Sequence, residues 1–120
     1  MPPTLTAVGV RFHEIERSNT TGIEHLIGDG VDLLIDLLTY RAADVRALLP
    51  VMTSVRSSAL ISSRAVCVDP SGRHINGEDP PRFGIPITEG TPTLPPAADH
   101  VDPFSREGYA PSKVTVERTA

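Results

Sequence analysis

The apolar positions change period several times between residues 8 and 68, and each period predicts an element. In VGVRFHEIE, Val8, Val10 and Phe12 alternate with polar neighbours, with Ile15 following after a slip, as in a short strand. The cap-type run Ser18, Asn19, Thr20 and Thr21 then precedes Ile23, Leu26 and Ile27 at helical spacing. The turn GDG closes that run, so a short helix is expected over residues 21–27. Residues 31–38 are almost continuously apolar, the pattern of a parallel strand buried on both faces. In RAADVRALLPVM, Ala43, Val45, Leu48 and Leu49 share one side of a helix that Pro50 should bend or end. Ala59, Leu60 and Ile61 open a further strand that runs into Ser62 and Ser63. Strand, helix, strand, helix, strand demands crossover connections, so the expected fold is α/β with about three parallel strands and flanking helices.

From Asp69 to Pro103 the periodicity disappears into Pro, Gly and Asp, and residues 69–103 are expected to form one long loop region. Long loops leaving the C-terminal ends of parallel strands are where open α/β sheets bind ligands. GYAPSKVTVERTA resumes a helical pattern, with Pro111 in the first turn, where its missing N–H costs little. Residues 1–7, with two prolines and no period, are expected to fray. Asp32 and Asp36 interrupt the apolar run. Asp32 is expected at its solvent edge, and a buried Asp36 would require a hydrogen-bond partner.

With 120 residues the chain is expected to be a single domain, and with only 4% aromatic residues its core is thin. A formal charge of −4 and the lack of any basic run exclude nucleic acid as an expected partner. No apolar run approaches the roughly 20 residues of a membrane span, and residues 1–16 do not read as a signal peptide. Cys67, the single cysteine, cannot form an internal disulfide and is expected as a buried small hydrophobe, so a reducing cytoplasm fits best. His13, His25, His74 and His100 share no helical or ligand spacing, so no metal site is expected.

The candidate chemistry lies in GYAPSK. Tyr109 and Lys113 are four residues apart and share a helix face. An ammonium beside a phenol favours the phenolate and so equips a tyrosine for proton transfer. Ser63, at the end of a strand, would place a hydroxyl on the oxygen of a substrate. The same spacing also fits an ordinary surface tyrosine and lysine, and spacing alone does not choose.

The order of motifs along the chain resembles the extended short-chain dehydrogenases/reductases, the NAD-dependent epimerase/dehydratase family. There a strand ends in paired hydroxyl residues, an acidic residue follows in a T/S-E-x-x-P-x-x-P segment, and a Tyr-x-x-x-Lys helix carries a glutamate. The matching residues here are Ser63, Glu89, Pro92, Pro95, Tyr109, Lys113 and Glu117. GDGVDLLIDLLTYRAADVRALLP likewise looks like the family's fourth strand and the helix after it. The resemblance implies a partial Rossmann-type sheet, NAD or NADP as cofactor, and hydride transfer to or from a secondary alcohol or ketone of a small-molecule substrate. It assigns Tyr109 as acid/base, Ser63 to the reacting oxygen, Lys113 to the nicotinamide ribose, and Leu38, Thr39 and Tyr40 to the ground beneath the cofactor. Glu16 would fall near the adenine.

Three features depart from the family. The Gly-x-x-Gly-x-x-Gly phosphate loop is missing, nothing follows the Tyr/Lys helix, and Cys67, Val68 and Ala110 replace family residues. The chain is therefore expected to be a single partial domain without the first βαβ unit or a C-terminal substrate domain, and inactive alone. The rival expectations are a non-catalytic interaction module, self-associating through open sheet edges or pairing with a full-length relative, and a gene remnant.

Overall fold

The computed structural model describes residues 9–120. It is a mixed α/β chain built on a two-stranded parallel sheet. Helix α1 (Thr20–Ile27) starts where the Asn19 side chain accepts the Gly22 N–H at 2.9 Å. It stops at Gly28, whose φ of 60° is a left-handed conformation natural to glycine. Strand β1 (Leu33–Asp36) follows, then helix α2 (Ala42–Ser54) and strand β2 (Ser57–Leu60). β1 and β2 pair in parallel, Leu33 opposite Ser57 and Asp36 opposite Leu60, with α2 as the crossover. A single 3₁₀ turn (Arg64–Val66) leads into the long loop, and helix α3 (Tyr109–Thr119) follows it.

The core lies between α2, α3 and the 3₁₀ turn. Ala42, Val45, Leu48 and Val51 form the buried side of α2. α2 packs against α3, whose buried residues include Ala110, Val114 and Val116, and Val66 and Cys67 pack on Val114 with Phe83 and Leu94. Cys67 is buried, as expected. Of the expected side of α2, Val45 and Leu48 are buried and Leu49 is half-buried, but Ala43 is exposed, and Ala42 and Val51 also lie inward. Nor does Pro50 end the helix, which runs on to Ser54. An internal proline costs about 3 kcal/mol. Burying Val51, the very next residue, keeps the last turn in place.

Two expected strands need correction. Residues 10–16 form no strand, and Val10, Phe12 and Ile15 stand exposed. Among the described residues no neighbour offers them a ladder, and a strand without one leaves its backbone groups to water. Val8 and the expected frayed residues lie outside the described ones. The run at 31–38 does contain a parallel strand, but a short one and not buried on both faces. Leu33, Ile35 and Leu37 alternate onto a face that is more than half exposed at each, next to the exposed Ala59 and Ile61. Only the opposite row, Leu34, Asp36 and Leu60, is shielded. Parallel sheets normally carry cover on both faces. Here the described helices cover one.

The region 69–103 holds its shape through specific anchors rather than regular elements. The buried Asp69 carboxylate accepts the N–H groups of Ser71, Arg73 and Arg82, each at 2.9 Å, and the Arg73 guanidinium at 2.7 Å. An isolated bridge joins Cys67 to Thr93, and Ala97 donates to the Pro111 carbonyl in α3 at 3.0 Å. Gly108 caps α3 where there is no room for a side chain. A Cβ there would press on the Asp102 carbonyl oxygen and stand 2.6 Å from Ser105 Oγ. Among the described residues no helix is long and apolar enough to cross a membrane.

Candidate functional site

Lys113 stands one turn into α3 and is 3% exposed. A buried ammonium needs acceptors for its three N–H groups. It finds two in backbone carbonyls: Thr39 O at 2.7 Å and Ile61 O at 2.8 Å. Thr39 follows β1 and Ile61 follows β2, so one side chain ties together the C-terminal ends of both parallel strands. The ammonium also lies 4.8 Å from the centre of the Tyr40 ring, a cation–π distance, and Tyr40 stacks at a tilt on Phe104 with centroids 5.0 Å apart. Burial pushes the Lys113 amine below the usual lysine value, against the opposing pull of the Asp36, Asp44 and Glu117 charges.

The corner beneath Lys113 is fixed from a second side. Asp36, the last residue of β1, is buried, and its carboxylate accepts Nε of Arg17 at 3.2 Å on each oxygen. It also accepts Nη2 of Arg17, the Thr39 hydroxyl, and the Leu38 N–H at 3.0 Å. Burial raises the Asp36 pKa, but the hydrogen bonds from Arg17, Thr39 and Leu38 outweigh it and hold the carboxyl below its ordinary value. Arg17 Nη2 reaches on to Thr39 Oγ1 at 3.3 Å and to the Asp44 carbonyl at 3.0 Å. Asp44 in turn accepts the Tyr40 and Arg41 N–H groups, which start α2. Every residue from 36 to 41 except Leu37 thus has at least one bond in this corner.

Ser63 opens onto an adjacent cleft of about 540 Å³, with Ser62, Glu89 and Glu117 among its walls. Its Oγ accepts the Ala65 N–H at 3.1 Å and caps the 3₁₀ turn, which leaves the hydroxyl proton free to be donated. Ser62 donates to the Glu117 carboxylate from α3. Tyr109 is half-buried on the helix of Lys113, one turn earlier, and neither residue forms part of the cleft wall.

Of the residues singled out in the sequence, Lys113, Thr39 and Tyr40 meet directly. Leu38 adjoins them through its N–H, with its side chain exposed. Ser63, Glu89 and Glu117 share the cleft. Glu16 is exposed, its carbonyl accepting the Asn19 N–H at 2.9 Å. The residue the sequence did not point to is Arg17. The only signal for it was indirect: an aspartate inside an apolar strand demands a partner. No protein-family model, no curated protein and no solved structure matches this chain.

Proposed function

We propose that this chain carries the tyrosine–lysine portion of an NAD(P)-dependent reductase site of the epimerase/dehydratase kind, on part of a Rossmann-type sheet. The observation that carries the reading is the buried Lys113 ammonium, held by carbonyls at the C-terminal ends of two parallel strands. Ligands of open parallel sheets bind at those ends. Two of the three Lys113 N–H groups serve Thr39 and Ile61, which leaves one for a ribose hydroxyl or for the Tyr109 phenol.

The donor set fits one end of a nicotinamide dinucleotide. Lys113 and the Tyr40 ring suit the nicotinamide ribose. No glycine-rich turn opening a helix toward that site is present among the described residues to cradle a pyrophosphate. The nicotinamide, when bound, supplies or takes the hydride. Tyr109 transfers the hydroxyl proton, Lys113 offers its remaining N–H to the ribose, and Ser63 donates its hydroxyl to the reacting oxygen. With only one end of the cofactor held, the chain by itself is expected to bind nicotinamide nucleotides weakly and not to turn over.

Lys113 is the only lysine in the chain, so isotope-labelled lysine gives a single side-chain amine signal by NMR. Millimolar nicotinamide mononucleotide should shift that signal, and adenosine monophosphate should not. A signal indifferent to the nicotinamide nucleotide overturns the reading.

A second reading, a non-catalytic module that associates through its sheet, is favoured by the bare row of Leu33, Ile35 and Leu37 beside open strand edges. Ile35→Glu, which adds no second lysine, separates the two, since it should suppress association in sedimentation and leave the response of the Lys113 signal to nicotinamide mononucleotide untouched.

A further inference from the structure

Arg17 lies in the irregular segment before α1, 22 residues from Thr39 in sequence. A guanidinium is a rigid planar fork, so several bonds from one such group fix the relative positions of whatever accepts them. Here the acceptors are the Asp36 carboxylate at the end of β1, the Thr39 hydroxyl beyond it and the Asp44 carbonyl in the first turn of α2. The Asp36 carboxylate also takes the Thr39 hydroxyl directly. Thr39 is therefore gripped through its side chain from one side and through its carbonyl, by Lys113, from the other. Its relative exposure is 0%, so no water replaces either grip.

We infer that Arg17 is a positioning residue for Lys113, acting through Asp36 and Thr39: it locks the corner between β1 and α2 in the shape that turns the Thr39 carbonyl onto the ammonium. The inference deepens the reductase reading and rests on it for its meaning in catalysis. Its geometry stands apart from that reading. Arg17 also sets the electrostatics of the site. The charges acting on the ammonium are Asp36 at the end of β1, Asp44 in α2 and Glu117 one turn further along α3. Arg17 offsets the first of these, so Asp36 can remain ionised at the corner without holding Lys113 by charge alone.

The test again follows the single labelled lysine, now by the exchange of its ammonium protons with water and by its titration. The variants are Thr39→Val, which keeps the carbonyl and deletes the hydroxyl, and Arg17→Gln. Each is first checked for a cooperative melt. Arg17→Met, which also removes the fork and its charge and adds no second lysine, replaces Arg17→Gln if the latter does not fold. The expected result is ammonium exchange faster by about tenfold in the variants, the factor set by loosening one hydrogen bond to a charged group. Arg17→Gln should also titrate Lys113 at higher pH than the parent, because Asp36 is then uncompensated.

Unchanged exchange and unchanged titration in folded variants overturn the inference, and Arg17 is then only a tie for the segment before α1. A parent ammonium that already exchanges freely overturns it too. The two claims fail separately: Lys113 indifferent to nicotinamide mononucleotide but responsive to Arg17 sinks the reductase reading alone. The reverse pattern sinks the positioning role alone.

Discussion

At the scale of single residues, Asp36 decides how acid acts on this protein. Its carboxyl is held below the ordinary value, so the folded chain binds its proton less readily than the unfolded chain. The stability this contributes is complete above the unfolded carboxylate value of about 4. It is lost as the pH falls through the lower, folded value. Asp69 behaves alike: burial opposes its charge, but the Arg82, Arg73 and Ser71 donors hold its carboxyl far below the usual range. Lys113 has the opposite chemistry and the same slope. Its amine is depressed in the folded state, so stability rises with pH between that value and the ordinary lysine value. Asp36→Asn isolates one contribution, because the other two groups remain. It leaves the Arg17 charge four-fifths buried without its partner. The expected cost near neutral pH is about 3 kcal/mol in urea unfolding, at the low end for a broken buried pair because Arg17 keeps some solvent. The difference shrinks as the pH falls below about 4, and only once it has passed the lower, folded value, where the parent is protonated as well, should the two unfolding midpoints converge.

The elements divide into those whose pattern was sufficient and those that depended on a neighbour. α1, α2 and α3 were legible because caps, turn glycines and a period near 3.6 are local signals. β1 was legible as an apolar run and, through the helix that follows it, as parallel to its partner, but β2 only in part: it spans Ser57–Leu60 and ends before Ile61, Ser62 and Ser63, where the expected strand was to run. Their burial was not legible, because an apolar run says what a strand requires and not what the chain supplies. The strand expected near Val10 failed for the same reason. Of the site, the placement of Tyr109 and Lys113 one turn apart on a helix could be read from spacing, and Asp36 announced itself as a charge in an apolar run. Arg17 could not be read, since an ion pair across 19 residues leaves no period. Nor could the capping role of Ser63, which depends on a single turn of 3₁₀ helix.

The two faces of β1 turn this into a measurement. Ile35 is 54% exposed, whereas Val45 of α2 is 0% exposed. Ile35→Lys should change stability by no more than about 0.5 kcal/mol, as surface substitutions do. It should also suppress any concentration-dependent association seen by sedimentation. Val45→Ala should cost about 2 kcal/mol by opening a cavity in the core. A large loss of stability from Ile35→Lys in a dilute, monomeric sample would show that the face is covered after all.

The whole molecule is extended for its size. Its radius of gyration is 17.3 Å, against about 13–14 Å for a compact domain of this length. The reason is visible in the parts: a two-stranded sheet with one bare face, and a loop region of some 35 residues held by a few anchors such as Asp69. A shape this open gathers the nicotinamide-ribose end of the proposed site through Lys113, and nothing described gathers the rest of a dinucleotide. That sets a limit on ligand stabilisation. A ligand that binds only the folded form raises its stability by about 1.4 kcal/mol at ten times its dissociation constant. Each recognised part of the ligand lowers that constant. If Lys113 and Tyr40 supply all the recognition, NADH and nicotinamide mononucleotide at equal concentration should raise the melting temperature equally. The adenosine and second phosphate of NADH would add nothing. A clearly larger rise with NADH would mean that the pyrophosphate is held by groups outside this corner. The first place to look would then be the cleft beside Ser63, where Arg64 supplies a guanidinium within hydrogen-bonding chemistry for a phosphate. Arg64→Gln would return the two ligands to equality if that cleft were responsible.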